Sequence, residues 1–191
     1  MTVAVLALQG AFIEHEKMLE SLGEECFEIR QKKDLERTFE GLVLPGGEST
    51  VMGKLLHELD IFATLKQRIE EGLPVLATCA GLILLAKRLE NDPVCWFGTL
   101  DVTVRRNAFG RQLGSFHTEE NYKGLGRIPM TFIRAPVITS VGPKVEILST
   151  VNDEVVAVRQ GRQTALAFHP ELDCNLSIHE SFLKDVRAYR N

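Results

Sequence analysis

Residues 73–90 read L-P-V-L-A-T-C-A-G-L-I-L-L-A-K-R-L-E, and this stretch decides how the chain folds. Residues 75–78 form a short apolar run, which is typical of a buried strand. Cys79 follows at once, and the apolar spacing over residues 82–89 predicts a helix. The small residues Ala80 and Gly81 let the chain bend sharply between the two. The sequence therefore predicts a tight strand-to-helix turn that carries a cysteine.

Cys79 has two interpretations at this position. A side chain on such a turn is pushed into the open, and the first N–H groups of the following helix favour a thiolate over a thiol. That geometry suits a nucleophile. Free cysteine is also among the most buried residue types, so a structural role in the core is the alternative. The stretch by itself leaves both interpretations open.

The first half of the chain alternates short apolar runs with helical patterns. Predicted strands cover residues 3–8, 26–30, 41–44 and 75–78, and predicted helices cover residues 12–22, 49–59 and 61–71. Short strands that are apolar throughout are buried on both faces, as in a parallel sheet covered by helices. We therefore expect an α/β fold of three layers, with a mostly parallel central sheet and helices on both faces.

The second half has a different character. Residues 99–105 alternate apolar and polar side chains, and further strands are predicted at 131–134, 145–148, 154–160 and 164–168. Such alternation is typical of antiparallel strands, which we expect to be added to the parallel core. We expect residues 107–126 to form a long surface connection and residues 176–189 to form a terminal amphipathic helix.

Composition limits the classes of function. The 191 residues fit a single domain, 1–191, and the net charge of −4 gives no reason to expect binding to nucleic acid or to an anionic membrane. No apolar run approaches the roughly 20 residues that span a bilayer. The N-terminal run lacks a preceding basic region and is predicted to be a strand rather than a signal peptide. The four cysteines have no paired spacing, so we expect reduced thiols in the cytoplasm, and because the cysteines and histidines are not in ligand spacing we expect no metal site.

A catalytic cysteine needs a base, and the chain has five histidines. His15, His57 and His179 lie in predicted helices and are expected to be ordinary surface or half-buried residues. His117 lies in the polar connection, where a functional role is the less favoured interpretation.

His169 differs because it follows a predicted strand directly, in the sequence F-H-P-E. Pro170 biases His169 towards extended backbone, in which residues i and i+2 share a face. Glu171 can therefore reach the His169 ring. The carboxyl ends of strands are where open α/β folds bind their ligands. A solvated turn is the alternative for this pair taken alone.

The sequence P-G-G-E-S-T, residues 45–50, also leaves a predicted strand and enters a predicted helix. Two adjacent glycines allow backbone conformations that expose N–H groups to an oxyanion. The alternative is a plain glycine turn in which Ser49 caps the helix.

Together these motifs resemble the triad-type (class I) glutamine amidotransferases, whose fold is flavodoxin-like. Within them, the chain is similar to the glutaminase subunits of pyridoxal 5′-phosphate synthase over essentially its whole length. The resemblance rests on V-L-A-L-Q-G-A-F-I-E-H (5–15), L-P-G-G-E-S-T (44–50), T-C-A-G-L-I-L-L-A-K (78–87), R-N-A-F-G-R-Q-L-G-S-F (106–116), F-I-R-A-P (132–136) and F-H-P-E-L (168–172).

The resemblance implies a role for each matching residue. It implies Cys79 as the nucleophile, His169 as the general base and acid, and Glu171 as the carboxylate that orients the histidine. It implies an oxyanion hole from the N–H groups of Gly47 and Ala80. It also implies glutamine binding by Gly47, Glu48, Ser49, Arg106, Ile133 and Arg134, and a loop at Gln9 that faces the partner.

The resemblance further implies hydrolysis of L-glutamine through a thioester, without a cofactor. The ammonia would pass to a synthase subunit in a large heteromeric complex. Such glutaminases usually have glycine two residues before the cysteine; this chain has Ala77, and we expect the turn to survive that methyl group.

Three other functions remain open on the sequence. The chain could serve another ammonia-using enzyme, such as imidazole glycerol phosphate synthase, although the 106–116 and 132–136 motifs favour the pyridoxal branch. It could be a non-catalytic binding protein on the same fold, which should have lost the cysteine, the histidine or the glycines. It could be a free-standing cysteine hydrolase, which would need no partner.

Overall fold

The chain alternates strands and helices in its first half and consists mainly of strands in its second half. A computed structural model describes residues 1–90, 92–106 and 115–190. The strands are Thr2–Leu6 (β1), Glu25–Ile29 (β2), Gly41–Leu44 (β3), Val75–Thr78 (β4), Ala86–Leu89 (β5), Leu100–Arg105 (β6), Ser115–Tyr122 (β7), Gly126–Ile133 (β8), Val137–Val141 (β9), Glu146–Val151 (β10), Glu154–Gln160 (β11) and Gln163–Leu166 (β12). The α-helices are Phe12–Ser21 (α1), Ser49–Glu58 (α2), Phe62–Glu70 (α3), Ala80–Leu85 (α4) and Ser177–Arg190 (α5), and 3-10 helices cover Lys32–Glu36 and Pro170–Leu172. None of the helices in these three ranges combines the length and the apolar character that crossing a bilayer requires.

Five adjacent strands form the parallel core of the main sheet, in the order β2-β1-β3-β4-β12. The residues of β3 and β4 are all buried, as expected for strands covered on both faces. The chain moves from β1 to β2 in one direction and from β3 to β4 in the other. Because such crossovers are right-handed, α1 and the α2–α3 pair cover opposite faces of the sheet. Because the five strands are parallel, they all end at the same edge of the sheet.

The sheet continues beyond β12 with antiparallel partners. Strand β11 pairs antiparallel with β12, β9 and β10, and β9 pairs antiparallel with β6. In the described part of the chain the main sheet has ten strands, and β7 and β8 form a separate two-stranded ribbon. The expected α/β class, with a parallel core and antiparallel additions in the second half, is confirmed.

The helix predicted over residues 82–89 is wrong in its second half. Helix α4 ends at Leu85, and residues Ala86–Leu89 form β5, which pairs parallel with β6. The side chains of Lys87 and Arg88 are exposed between buried Ala86 and Leu89. That pattern fits a helix surface as well as a strand, so hydrogen bonding to β6 decided the structure.

The long connection expected at residues 107–126 is also partly wrong. Residues Ser115–Tyr122 form β7, which pairs with β8 through eight residues, from Ser115 opposite Ile133 to Tyr122 opposite Gly126. Residues 107–114 lie outside the described residues. Most of the β7 side chains are polar and at least partly exposed, so the sequence lacks the apolar signal of a strand there. The sequence pattern does not predict β9 either.

Gly81 allows α4 to pack directly on β3. A Cβ atom at this position would fall far inside van der Waals contact with the carbonyl oxygen of Leu44. The Leu44 carbonyl belongs to the backbone of β3 and cannot move away as a flexible side chain would. Close approach of this helix therefore requires glycine.

We expect Gly81→Ala to lower the free energy of unfolding by about 3 kcal/mol, because α4 and β3 must separate. Gly23→Ala is the control: Gly23 has φ +76° with open space around it, so an added methyl costs only about 1 kcal/mol of backbone strain. Chemical denaturation of both variants measures the difference. Equal losses would contradict direct packing of α4 on β3.

Candidate active site

Four chain segments that are far apart in sequence meet at the carboxyl edge of the parallel strands. They are residues 7–11 after β1, residues 45–48 after β3, Cys79 after β4 and residues 167–169 after β12. Because β1, β3, β4 and β12 are consecutive in the sheet, their following loops are neighbours. The three motifs singled out in the sequence are therefore brought together.

Cys79 occupies the strained turn that the sequence predicted. Its backbone has φ 47° and ψ −97°, a region that residues with a side chain rarely adopt. Its N–H donates to the carbonyl oxygen of Leu166 at 2.8 Å, which fixes the turn against the end of β12. Ala77 lies in β4 before it, so the turn is kept with a methyl group at that position. The residue is 8% exposed and lines two cavities.

His169 and Glu171 form a hydrogen-bonded pair beside Cys79. His169 Nδ1 lies 2.7 Å from Glu171 Oε1, and His169 lines one cavity together with Cys79. The His169 N–H donates to the carbonyl oxygen of Thr131 at 2.8 Å, which fixes the residue against β8. Pro170 begins the 3-10 helix that carries Glu171. Sulfur, imidazole and carboxylate are therefore contiguous, in the order a nucleophile, a base and an orienting group require.

The surroundings favour a charged pair at His169 and Glu171. Burial disfavours the imidazolium, but the neighbouring Cys79 side chain and the hydrogen bond to Glu171 raise the pKa of His169 to about 10. Burial likewise opposes ionisation of Glu171, yet His15 beside it and the hydrogen bond from His169 lower the pKa of this carboxyl. These neighbours therefore favour the imidazolium form of His169, which can give up a proton.

A cavity of about 150 Å³ opens in front of Cys79. Its walls include all six residues that the sequence resemblance assigned to glutamine, namely Gly47, Glu48, Ser49, Arg106, Ile133 and Arg134. Ile83 completes the lining, and sequence reasoning missed it because it looked like one more apolar position of α4. A second cavity shares Cys79, Gly47 and Arg134 and reaches Gln9 and His169.

Arg106 has unused hydrogen-bonding capacity beside this cavity. Its Nη1 lies 3.3 Å from Thr50 Oγ1 and 3.4 Å from Asp92 Oδ2. Its Nε is buried and has no hydrogen-bond partner within residues 1–90, 92–106 and 115–190. An unpaired buried donor is costly, so a ligand that accepts a hydrogen bond there would be stabilised. The motif residues 107–112 that follow it lie outside the described part of the chain.

Residues 9–11 make two hydrogen bonds to the glycine loop, residues 45–48. The Ala11 N–H donates to the carbonyl oxygen of Gly46 at 3.0 Å, and the Glu48 N–H donates to Gln9 Oε1. Carbonyl and N–H point in opposite directions across a trans peptide bond, so the Gly47 N–H faces away from Ala11. Ala80 begins α4, where the first N–H groups have no partner within the helix.

The predicted cap of α2 is wrong. Glu48 is the capping residue, because its two carboxylate oxygens accept from the N–H groups of Thr50 and Val51 at 3.1 and 2.9 Å. Burial would raise the pKa of Glu48, but these backbone hydrogen bonds lower it. Ser49 is the first residue of the helix and is nearly buried. Glu48 also lines the cavity in front of Cys79.

The expectation that His15 and His179 are ordinary helix residues is also wrong. Both are completely buried behind Glu171. The signal was the helical spacing of His15 with Phe12 and Leu19, which placed a polar residue on the inner face of α1. His117 lies on the exposed β7, where Nδ1 is 3.0 Å from Thr131 Oγ1.

We expect Glu171→Gln to lower the pKa of His169 from about 10, because a neutral amide no longer stabilises the imidazolium. NMR titration of the His169 ring between pH 5 and 11 measures the shift. Glu14→Gln, which removes a carboxylate from α1, is the matched control and should leave the His169 titration in place. A His169 titration that Glu171→Gln does not move would contradict the pairing.

Comparisons with known proteins identify the family of this chain. The model of the SNO glutamine amidotransferase family matches residues 5–188. A pyridoxal 5′-phosphate synthase subunit PdxT from Desulfitobacterium hafniense (strain DSM 10664 / DCB-2) is 61% identical over 186 residues, covering 97% of this chain and 94% of that protein. The PdxT subunit of Haemophilus influenzae (strain PittEE) is 54% identical, covering 96% of this chain and 97% of that protein.

Solved structures give the same result. A crystal structure of a glutamine amidotransferase matches with a TM-score of 0.92 and 45% identity, covering 96% of this chain and 98% of that one. A glutamine amidotransferase from Thermotoga maritima matches with a TM-score of 0.65 at 17% identity over 100% of this chain and 85% of that one, and so shares the fold. The resemblance inferred from the motifs is confirmed: the chain belongs to the SNO glutamine amidotransferase family.

Proposed function

We propose that this chain is the glutaminase subunit of a pyridoxal 5′-phosphate synthase, and that Cys79, His169 and Glu171 are its catalytic triad. The hydrogen bond between His169 and Glu171, with Cys79 beside them at the same cavity, carries the proposal. The names of relatives that are 54–61% identical over nearly the full chain support the choice of pathway.

The reaction begins with attack of the Cys79 thiolate on the side-chain amide carbon of L-glutamine. The sulfur–carbon bond forms, and the amide oxygen becomes an oxyanion facing the N–H groups of Gly47 and Ala80. Each such donor is worth about 3 kcal/mol to the transition state. An imidazolium at His169 then gives its proton to the leaving nitrogen, the carbon–nitrogen bond breaks, and ammonia and a thioester remain.

Water completes the cycle. The neutral His169 now takes a proton from water, and the resulting hydroxide attacks the thioester carbon. The carbon–sulfur bond breaks, glutamate leaves, and the Cys79 thiolate and the His169 imidazolium are regenerated. The raised pKa of His169 fits the first half of this cycle, in which the ring must carry a proton at neutral pH.

Charges on the cavity wall fit the backbone end of the substrate. Arg106, with its unpaired Nε, and Arg134 offer guanidinium groups to the α-carboxylate. Glu48 offers a carboxylate to the α-ammonium group. Ser49 and Ile133 complete the proposed glutamine site. With both charges of the amino acid held at the wall, the amide end can reach Cys79.

Ammonia is useful only where an acceptor is at hand, so the proposed function requires a synthase subunit. Gln9, which reaches the glycine loop, lies on the side of the second cavity and is the proposed contact with that partner. Exposed apolar side chains lie nearby on α1, β8 and the 3-10 helix: Ile13, Ile133 and Leu172 are 47%, 37% and 44% exposed. They are suited to a protein interface. The proposed assembly is a large heteromeric complex.

We expect Cys79→Ala to abolish glutamine hydrolysis, because no other group replaces the thiolate, and to leave synthesis of pyridoxal 5′-phosphate from ammonium salts intact. Glutamate release measures glutamine hydrolysis, and the absorbance of pyridoxal 5′-phosphate measures synthesis from ammonium salts. Both are measured on the complex. Cys95→Ala, which changes an exposed cysteine, is the control and should retain both activities. Loss of both activities in Cys79→Ala would refute the proposed division of labour.

We expect glutamate release to increase when the synthase subunit is added, because the partner contacts the loop that holds the glycine turn. A coupled glutamate assay at increasing synthase concentration measures this. Mixing with the synthase of imidazole glycerol phosphate formation is the control and should have no effect. A rate in the isolated chain equal to that in the complex would rule out activation by the partner.

A further inference from the structure

Two histidines that the proposed mechanism does not use lie directly behind the triad. His15 on α1 and His179 on α5 are both 0% exposed. His15 Nδ1 lies 3.0 Å from His179 Nε2, and the ring centroids are 5.2 Å apart. On its other side, His15 Nε2 lies 3.2 Å from Thr78 Oγ1 and 3.3 Å from Glu171 Oε2. The pair thus connects two helices to the carboxylate of the triad.

Glu171 needs such a neighbour. Its side chain is 0% exposed, and His169 contacts only one of its two oxygens, Oε1. The other oxygen, Oε2, is buried and has no well-aligned hydrogen bond within the described residues. A buried carboxylate that lacks donors tends to take up a proton or to turn away. His15 Nε2 lies close enough to Oε2 to offer it a proton.

The positions of the protons follow from this arrangement. An ionised carboxylate only accepts hydrogen bonds, so a bare His15 Nε2 at 3.3 Å would set two lone pairs against each other. A proton on Nε2 avoids this: Thr78 Oγ1 accepts it, and Glu171 Oε2 lies 3.3 Å from the same nitrogen. Burial lowers the pKa of His15, so its ring is neutral and Nδ1 must accept. His179 then donates from Nε2.

The other nitrogen of His179 agrees with this assignment. Its Nδ1 is buried and has no partner among the described residues. With the proton of His179 on Nε2, that Nδ1 carries only a lone pair, which is less costly to leave unpaired than an N–H donor. Burial lowers the pKa of His179 to about 3, so this ring is neutral as well. Both N–H groups therefore point towards Glu171.

We propose that His15, oriented by His179, is a positioning residue that donates a hydrogen bond to Glu171 Oε2 and so holds the carboxylate against His169. The inference rests on the proposed function, because it extends the triad of that reaction to Cys79–His169–Glu171–His15–His179. Thr78 shares the His15 N–H and is the residue before Cys79, so the same donor also ties α1 to the catalytic strand.

The test compares His15→Leu with wild type in the complex with the synthase. Leucine fills similar space without a donor, and we expect kcat to fall about tenfold while KM for glutamine stays near its wild-type value, since His15 does not line the cavity. The acid limb of the kcat profile should move to higher pH, because Glu171 then protonates more readily. The other titratable groups close to these side chains are His169 and Cys79, on the far side of Glu171 from His15, and Glu14, which lies beside His15.

Two further variants separate positioning from packing. His15→Gln places an amide N–H near the former Nε2 and should restore most of kcat and the wild-type acid limb. Leu19→Ala is the control: Leu19 is fully buried on the same face of α1, one turn further along. It should lower stability without moving the pH profile. If His15→Leu behaves like Leu19→Ala, His15 has only a packing role and the proposal is wrong.

A readout without turnover keeps the inference distinct from the proposed function. Alkylation of Cys79 by iodoacetamide, followed across pH by peptide mass spectrometry, should shift its pH dependence in His15→Leu. Activity remaining in Cys79→Ala would defeat the proposed function, whereas unchanged kcat and alkylation in His15→Leu would defeat this inference alone. If His15→Leu does not fold, His179→Leu is tested instead, because it removes the group that orients His15. We expect a smaller shift of the pH dependence in the same direction. The absence of any shift would overturn the proposal.

Discussion

The parallel pairing of β4 with β12 is the constraint on which the rest of the site depends. It sets Thr78 opposite Leu166, two residues separated by most of the second half of the chain. The Cys79 N–H extends this ladder by one more hydrogen bond to Leu166, so the two segments leave the sheet side by side. A slip of one residue would turn every side chain of β4 to the other face. Burial of both faces, with Ala77 and Ala165 at 0% exposure, prevents that slip.

Burial also explains why so many of the polar groups at this edge are paired with one another. Charges removed from water interact strongly, and an unpaired one is costly. His169 and Glu171 are each 6% exposed and hydrogen-bond each other, whereas burial lowers the pKa of both histidines behind them and favours their neutral forms. A pair that is shielded from water keeps its geometry during a reaction, because no water molecules have to reorganise around it. Stabilising a charge that develops in the transition state depends on such fixed geometry.

Sequence reasoning brought Cys79, His169 and Glu171 to one edge of the sheet because each follows a strand with a local signal. Cys79 stands between an apolar run and a helix, and Pro170 fixes the backbone that presents His169 and Glu171. The same reasoning failed where only tertiary contacts decide. Residues Ala86–Leu89 became a strand because β6 was available to pair with them. His15 lies on an apolar face of α1 because its contacts come from β4, the 3-10 helix and α5. Contacts between segments so far apart in sequence cannot be predicted from a local pattern.

The backbone of Cys79 has a consequence for the evolution of this fold. A φ of 47° costs a residue with a side chain about 1–3 kcal/mol, a cost that glycine at the same position would largely avoid. Folding alone would thus favour glycine at the tip of the turn, and only the chemistry of the thiol favours cysteine. Descendants of such a chain that lost the need for the reaction would gain stability by giving up the sulfur, so loss of catalysis and a firmer fold would arise in a single step.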